Sequence, residues 1–311
     1  MTLHDRLHWP FAPTKRHFGQ SVPPERLRIG SDGVVQVLLD GNWPKLLQGL
    51  VDFGEVVTTT NNPVASLTQI GRYPNFRICS CGRACGVNGG LAFDFSMWQH
   101  VWASRRQTND GIWRTLAVCG KDNSANHQVL FGAQTDDEQF AQLVHKFSSK
   151  KKFRNLNSQP QTGQWNFSRN LPRSKHVELF RQRKQGFIEN NKNNFRLIHT
   201  ASLAELWRNV LSERIWLGIT IITAPVIHSA LWLPLSLTEN HSALTASSEN
   251  VFFYCQPEKI AELWVVPAQS DSDSQSALEA YDRHDDLLFA LGAPPEWKNL
   301  WNELLQWLPT A

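Results

Sequence analysis

Apolar residues along the chain keep two rhythms, and each marks a kind of element. After Pro294-Pro295, the residues Trp297, Leu300, Trp301, Leu304, Leu305 and Leu308 recur at helical spacing. One apolar stripe of this kind predicts a helix lying on a sheet face. Phe140, Leu143, Val144 and Phe147 repeat that spacing within Glu138–Phe147, and short apolar helices are expected around Trp43–Leu50 and Leu203–Leu211. Between them the rhythm becomes that of strands. Val56–Thr60 and Ile219–Thr223 are β-branched runs, each soon followed by a proline. Ala261–Val266, Ala277–Tyr281 and Leu287–Leu291 are separated by polar turns at Asp271–Ser276 and Asp282–Asp286, so antiparallel pairing is expected.

The order of these elements occurs twice. Trp43, Leu47 and Gly54 have like residues 164 positions later, at Trp207, Leu211 and Gly218. At an offset of 162, Pro63-Val64 matches Pro225-Val226, Trp102 matches Trp264 and Leu116 matches Leu278; at 160, Gly132-Ala133 matches Gly292-Ala293. Two slips of two residues are what altered loops between duplicated halves would leave. The division expected is an N-terminal extension over 1–27, a first repeat over 28–146, a partly helical basic linker over 147–196 and a second repeat over 197–311. The fold class is α+β, a tandem duplication of a half in which helices flank a large antiparallel sheet.

Composition adds class and charge. With 311 residues, 41% hydrophobic and 19% charged, the chain has the make-up of an ordinary globular protein. No apolar run reaches the ~20 residues of a bilayer-spanning helix, and the opening residues lack an apolar signal core, so a cytoplasmic location without membrane insertion is expected. Residues 146–196 hold thirteen basic residues against Glu178 and Glu189, a net +11, which leaves −8 for the rest of a chain whose total is +3. That asymmetry implies an anionic partner: a phosphorylated molecule, an anionic cofactor or nucleic acid. Nucleic acid, with Trp165 and Phe167 stacking on bases, ranks lowest. Apolar residues return at Val177, Leu179, Phe180, Phe187 and Ile188, so a basic helix is expected there, capped by Ser174; Asn155–Gly163 reads as solvated connector.

Five cysteines, an odd number, do not resemble a disulfide framework. Cys79, Cys81 and Cys85 offer three thiols within seven residues, the soft ligands that zinc prefers, but a fourth ligand is wanting. His100, His199 and His228 stand apart from one another and read as hydrogen-bonded structural residues. Neither Asp94 nor Asp122 has a catalytic partner, so no hydrolase constellation emerges.

Three stretches resemble the HemS/ChuS/ChuX-type haem-utilisation proteins, or hemin-degrading factors. The first is Asn42-Trp-Pro-Lys-Leu-Leu-Gln48 running into Phe53-Gly-Glu-Val-Val57 and Asn61-Asn62. The second is Phe95-Ser-Met-Trp98 with Trp102-Ala103. The third is Thr223-Ala-Pro-Val226 with Ile260-Ala-Glu-Leu-Trp-Val-Val266 and Ser276-Ala-Leu-Glu-Ala-Tyr-Asp282. The likeness covers roughly 28–146 and 176–308 in family order. It implies two similar α+β halves and a haem near the linking helices, with a histidine on the iron and basic side chains on the propionates.

Carried over residue by residue, the resemblance assigns His176 as the haem-iron ligand and Arg183 as a propionate partner. Imidazole suits iron and guanidinium suits carboxylates. Elsewhere the family's basic positions are replaced: an arginine by Ala92, another by Gln256, an Arg-Lys-Pro by Pro267-Ala268, and a basic loop by Ala293-Pro294-Pro295. The histidine of the Ser-His-Trp core is Met97. The function expected is haem binding in haem trafficking or hemin degradation, with a haem transporter as a partner and homodimers conceivable. The alternative is a relative that has lost the cofactor and serves as an interaction protein. Any enzymatic activity would be oxygenase-like haem degradation carried by the cofactor.

Overall fold

The computed structural model describes residues 27–29, 34–109, 111–121, 124–132, 134–149, 175–189, 195–240, 242–267 and 276–311. The N-terminal extension before residue 27, the connector at 155–163, Ser174, Trp165 and Phe167 therefore lie outside the described residues, as does most of the Asp271–Ser276 turn.

In chain order the first half runs β1 (Leu27–Ile29), β2 (Val35–Leu39), α1 (Trp43–Leu50), β3 (Glu55–Asn61), β4 (Ala65–Arg72), β5 (Phe76–Cys79), β6 (Arg83–Gly86), β7 (Leu91–Asp94), β8 (Trp98–Thr108), β9 (Gly111–Gly120), β10 (Ala125–Phe131) and α2 (Asp137–Phe147). Helix α3 (Lys175–Glu189) follows. The second half runs β11 (Arg196–Ile198), α4 (Ser202–Ser212), β12 (Leu217–Ile222), β13 (Val226–Trp232), β14 (Ser236–Glu239), β15 (Leu244–Ser247), β16 (Val251–Cys255), β17 (Glu262–Val266), β18 (Ala277–Tyr281), β19 (Leu287–Gly292) and α5 (Lys298–Trp307). From β2 to α2 and from β11 to α5 the order is the same, element for element. The strands form two large antiparallel sheets.

Local chemistry sets the helix ends. Asn42 caps α1 by accepting from the Lys45 N–H at 3.1 Å, Pro44 occupies the first turn, and Gly54 at φ 76° turns the chain into β3. Asp136 caps α2 by accepting from the Glu138 N–H at 2.9 Å, and Asp137 and Glu138 place acid in the first turn.

The chain divides into two compact units. The first draws its residues from Met1–Thr59, Ile70–Asn88 and Phe93–Pro172; the second from Thr60–Gln69, Gly89–Ala92 and Arg173–Ala311. Within the first, β2, β8, β9 and β10 pair in that order, and Phe140 of α2 meets Phe53 in a T-shaped contact and Phe131 in a tilted one.

In the second unit β11, β17, β18, β19, β12 and β13 pair in that order. Alternation gives this sheet two buried faces. Leu263, Val265, Leu278, Ala280, Ile219 and Ile221 meet α4 and α5 in one core, while Ile222, Tyr281 and Leu287 meet Val177 of α3. The unit also takes in two short pieces of the first repeat. β4 pairs with β16, from Ala65↔Cys255 to Gln69↔Val251, and the Asn62 amide donates to the Leu288 carbonyl at 2.7 Å.

Candidate functional site

Helix α3 belongs to the basic linker, and it lies on an acidic patch of the second unit. Val177, Phe180 and Lys184 share its inner stripe. Val177 packs against Ile222, Tyr281 and Leu287, with Phe180 and Trp264 alongside. On the sheet, β17 and β18 pair Glu262 with Tyr281 and Trp264 with Glu279, so all four residues occupy the face that α3 covers. The opposite face carries only apolar side chains from these two strands.

Two cations of α3 end on this patch. The Arg183 Nη2 lies 2.8 Å from the Glu279 Oε1, and the Glu279 Oε2 accepts from the Tyr281 hydroxyl. The Lys184 Nζ lies 2.6 Å from both the Glu262 Oε2 and the Asp285 Oδ1, and 4.9 Å from the centre of the Tyr281 ring. Asp285 reaches it from the β18–β19 turn, where it adopts φ 63°; there the Asp282 carboxylate accepts from the backbone N–H groups of His284 and Asp286. Trp264 Nε1–H donates to the Glu262 Oε2 at 2.6 Å.

Burial pushes the Glu279 carboxyl above the usual carboxylate range, although the Arg183 guanidinium and the Tyr281 hydroxyl pull it back. Loss of hydration also raises the Tyr281 phenol, with the Glu279 charge adding to it. Three carboxylates thus face two cations, and part of the linker's positive charge is answered by the protein's own acids. The linker's charge alone points to an outside anion, whereas Glu279, Glu262 and Asp285 answer part of it from within. The signal was present: Leu278-Glu-Ala-Tyr281 sets an acidic residue inside an apolar strand, where burial demands a partner.

His176 stands in the first turn of α3, and its side chain lies outside the described residues. Arg183 follows seven residues later. Two turns of helix place both positions near one line along α3, about 10 Å apart, at the edge of its packed stripe. Arg183 keeps 37% of its side chain exposed while bound to Glu279. A haem asks for an imidazole on iron and cations on its carboxylates, and of the two residues Arg183 is the one whose side chain is described. The replaced positions offer nothing further: Ala92 is in β7, Met97 is buried in a 3-10 turn, and Gln256 precedes another 3-10 turn, its N–H donating to the Val64 carbonyl at 2.9 Å.

The remaining chemical candidates are placed as follows. His228 is fully buried, with its Nδ1 3.0 Å from the Thr60 Oγ1 and its Nε2 3.4 Å from the Gln69 Oε1. The His100 imidazole is held below its ordinary range by burial, and the His199 N–H donates to the Pro309 carbonyl at 3.4 Å. Asp94 caps a 3-10 turn through Ser96. Cys79 and Cys81 form a disulfide, against the expectation from the odd cysteine count, so the three-thiol ligand set is not what the structure contains, and Cys85 remains an exposed thiol. Among the described residues, no group of three or more His, Cys, Asp or Glu is arranged to hold a metal ion, and no helix is long and apolar enough to cross a membrane.

Comparison with known proteins agrees with this architecture. Residues 25–147 match the family described as the haemin-degrading HemS.ChuX domain. The hemin transport protein HmuS of Yersinia pestis is 28% identical over 124 residues, which are 39% of this chain and 34% of that relative. The chain thus aligns with only about a third of that curated relative's length. Apo-PhuS, a heme-binding protein from Pseudomonas aeruginosa, superposes with a TM-score of 0.74 at 18% identity, covering 91% of this chain and 89% of that one. The heme degrading enzyme ChuS of Escherichia coli O157:H7 superposes with a TM-score of 0.71 at 16% identity, covering 88% and 87%. At such identities these superpositions speak for the fold. Residues 25–147 thus match a HemS.ChuX-type domain, and the fold along 91% of the chain is that of PhuS.

Proposed function

We propose that the protein binds haem in haem utilisation, through α3, with His176 on the iron and Arg183 on a propionate. The observation that carries this reading is the spacing of the two residues along α3, with Arg183 exposed over a third of its side chain and steadied by Glu279. The heme-binding activity named for PhuS and the hemin transport named for HmuS support it, and with the latter the receipt of haem from a transporter. Bound haem would supply any redox chemistry. The chain's part is to bind and orient it, and Glu279, accepting from both Arg183 and Tyr281, limits where the guanidinium can go.

Titrating the purified protein with hemin is expected to give a Soret shift that saturates at one equivalent. His176→Ala should abolish the shifted band, and Arg183→Ala should weaken binding roughly tenfold, the worth of one charged hydrogen bond. The rival reading, a family member that has lost its cofactor and acts as an interaction protein, draws on the pairing of Arg183 and Lys184 with internal carboxylates. A titration with no saturable shift would decide for it.

A further inference from the structure

The hairpin β5–β6 in the first unit carries chemistry that haem binding does not use. Its register pairs Arg77 with Cys85 and Cys79 with Arg83. Pleating therefore sets Arg77, Cys79, Arg83 and Cys85 on one face, the outer one, while Phe76, Ile78 and Ala84 face inward. The strands are joined by Ser80-Cys81-Gly82, with Gly82 at φ 80°, and the Cys79–Cys81 disulfide spans that tip. All three cysteines are exposed.

This bridge is a poor staple. It closes a loop between residues only two apart in sequence, so it removes few conformations from the unfolded chain. Four backbone pairs and the left-handed Gly82 already fix the hairpin. It is open to attack by thiols, and the attacking face is cationic: Arg77 is exposed, and Arg83 shares its charge with Asp94 at 3.9 Å.

We propose that Cys79 and Cys81 form a reversible dithiol–disulfide couple that exchanges with anionic low-molecular-weight thiols of the glutathione class, guided by Arg77 and Arg83. In the reducing direction a thiolate attacks one bridge sulfur. The Cys79–Cys81 bond breaks, a mixed disulfide forms, and the released cysteine takes up a proton. A second thiolate attacks the mixed disulfide, the small-molecule disulfide leaves, and the second cysteine is protonated. Two electrons pass from two small thiols to the bridge, and Cys85 stays a thiol throughout.

The full-length protein is equilibrated in mixtures of reduced and oxidised glutathione, alkylated in the native state and read by peptide mass spectrometry. Cys79 and Cys81 are expected to pass together from protected to alkylated as the mixture becomes reducing, with Cys85 alkylated at every ratio. The double variant Cys79→Ser/Cys81→Ser should keep the wild-type thermal midpoint within about 2 °C. Arg77→Ala/Arg83→Ala should slow reduction by glutathione roughly threefold while leaving reduction by neutral 2-mercaptoethanol unchanged. A bridge that stays closed in reduced glutathione alone, or never forms in oxidised glutathione, would overturn the proposal. So would a fall of about 8 °C or more in the double variant, which would make the bridge a staple. Equal slowing with both thiols would overturn the assignment to anionic thiols.

Discussion

Replacing Trp207 by alanine is expected to cost about 3–5 kcal/mol of stability, whereas the same change at Trp43, its match in the sequence at an offset of 164, should cost roughly 1–2 kcal/mol. Trp207 is completely buried in α4, stacked on Phe253 at 5.6 Å between ring centres and tilted against Trp232 at 6.1 Å. Removing its indole leaves a cavity that two strands and a helix would have to collapse into. Trp43 begins α1, is only half-buried, and meets Trp98 at 5.5 Å. Urea denaturation of the two variants makes the comparison within one molecule, and equal losses would show that the repeats do not differ in packing as described.

The second large effect is a loss of stability in acid centred on His228. Its ring is fully buried in β13, and burial pushes its pKa down to about 3 from an ordinary 6.5. Folded, the ring stays neutral between those values; unfolded, it takes up a proton. Its contribution is therefore fully present above pH 6.5 and is lost as pH falls, by about 1.4 kcal/mol per unit, approaching roughly 4–5 kcal/mol near pH 3. His228→Asn keeps a hydrogen-bonding side chain beside Thr60 and Gln69 but cannot titrate. Urea midpoints of wild type and variant, measured from pH 7 to pH 4, should diverge in slope below pH 6, with the variant the flatter. Parallel profiles would show that the ring is hydrated or charged in the native state.

Much of the fold was legible because its elements are local. The stripe after Pro294-Pro295 is α5, Glu138–Phe147 is α2 but for one residue, and Ala277–Tyr281 is β18 with the bounds that alternation predicted. The repeat was legible because Trp102 and Trp264, or Leu116 and Leu278, keep like positions in like elements. Less visible was which strand lies beside which. That Ala65 and Leu67 of the first repeat pair with Cys255 and Phe253 of the second follows from contacts almost two hundred residues apart, which no local rhythm encodes.

The candidate site was legible only in part. Basic residues in a linker stand out against the rest of the chain, and Arg183 was singled out on that ground and by resemblance. In the sequence its partner Glu279 stands out only as part of a family segment, and Lys184 only as one charge among thirteen. A count of charge cannot say which cations the fold neutralises internally. The cysteines show the opposite case: their closeness was plain, while the Cys79–Cys81 disulfide, which the odd cysteine count spoke against, depended on the hairpin geometry.

Hydrogen–deuterium exchange of the full-length protein, measured with and without one equivalent of hemin, tests the central reading most directly. Slower exchange is expected in α3 and along β18 and its following turn, with the β5–β6 hairpin unchanged. Protection that leaves residues 175–189 untouched, or no protection anywhere, would contradict a haem site on that helix.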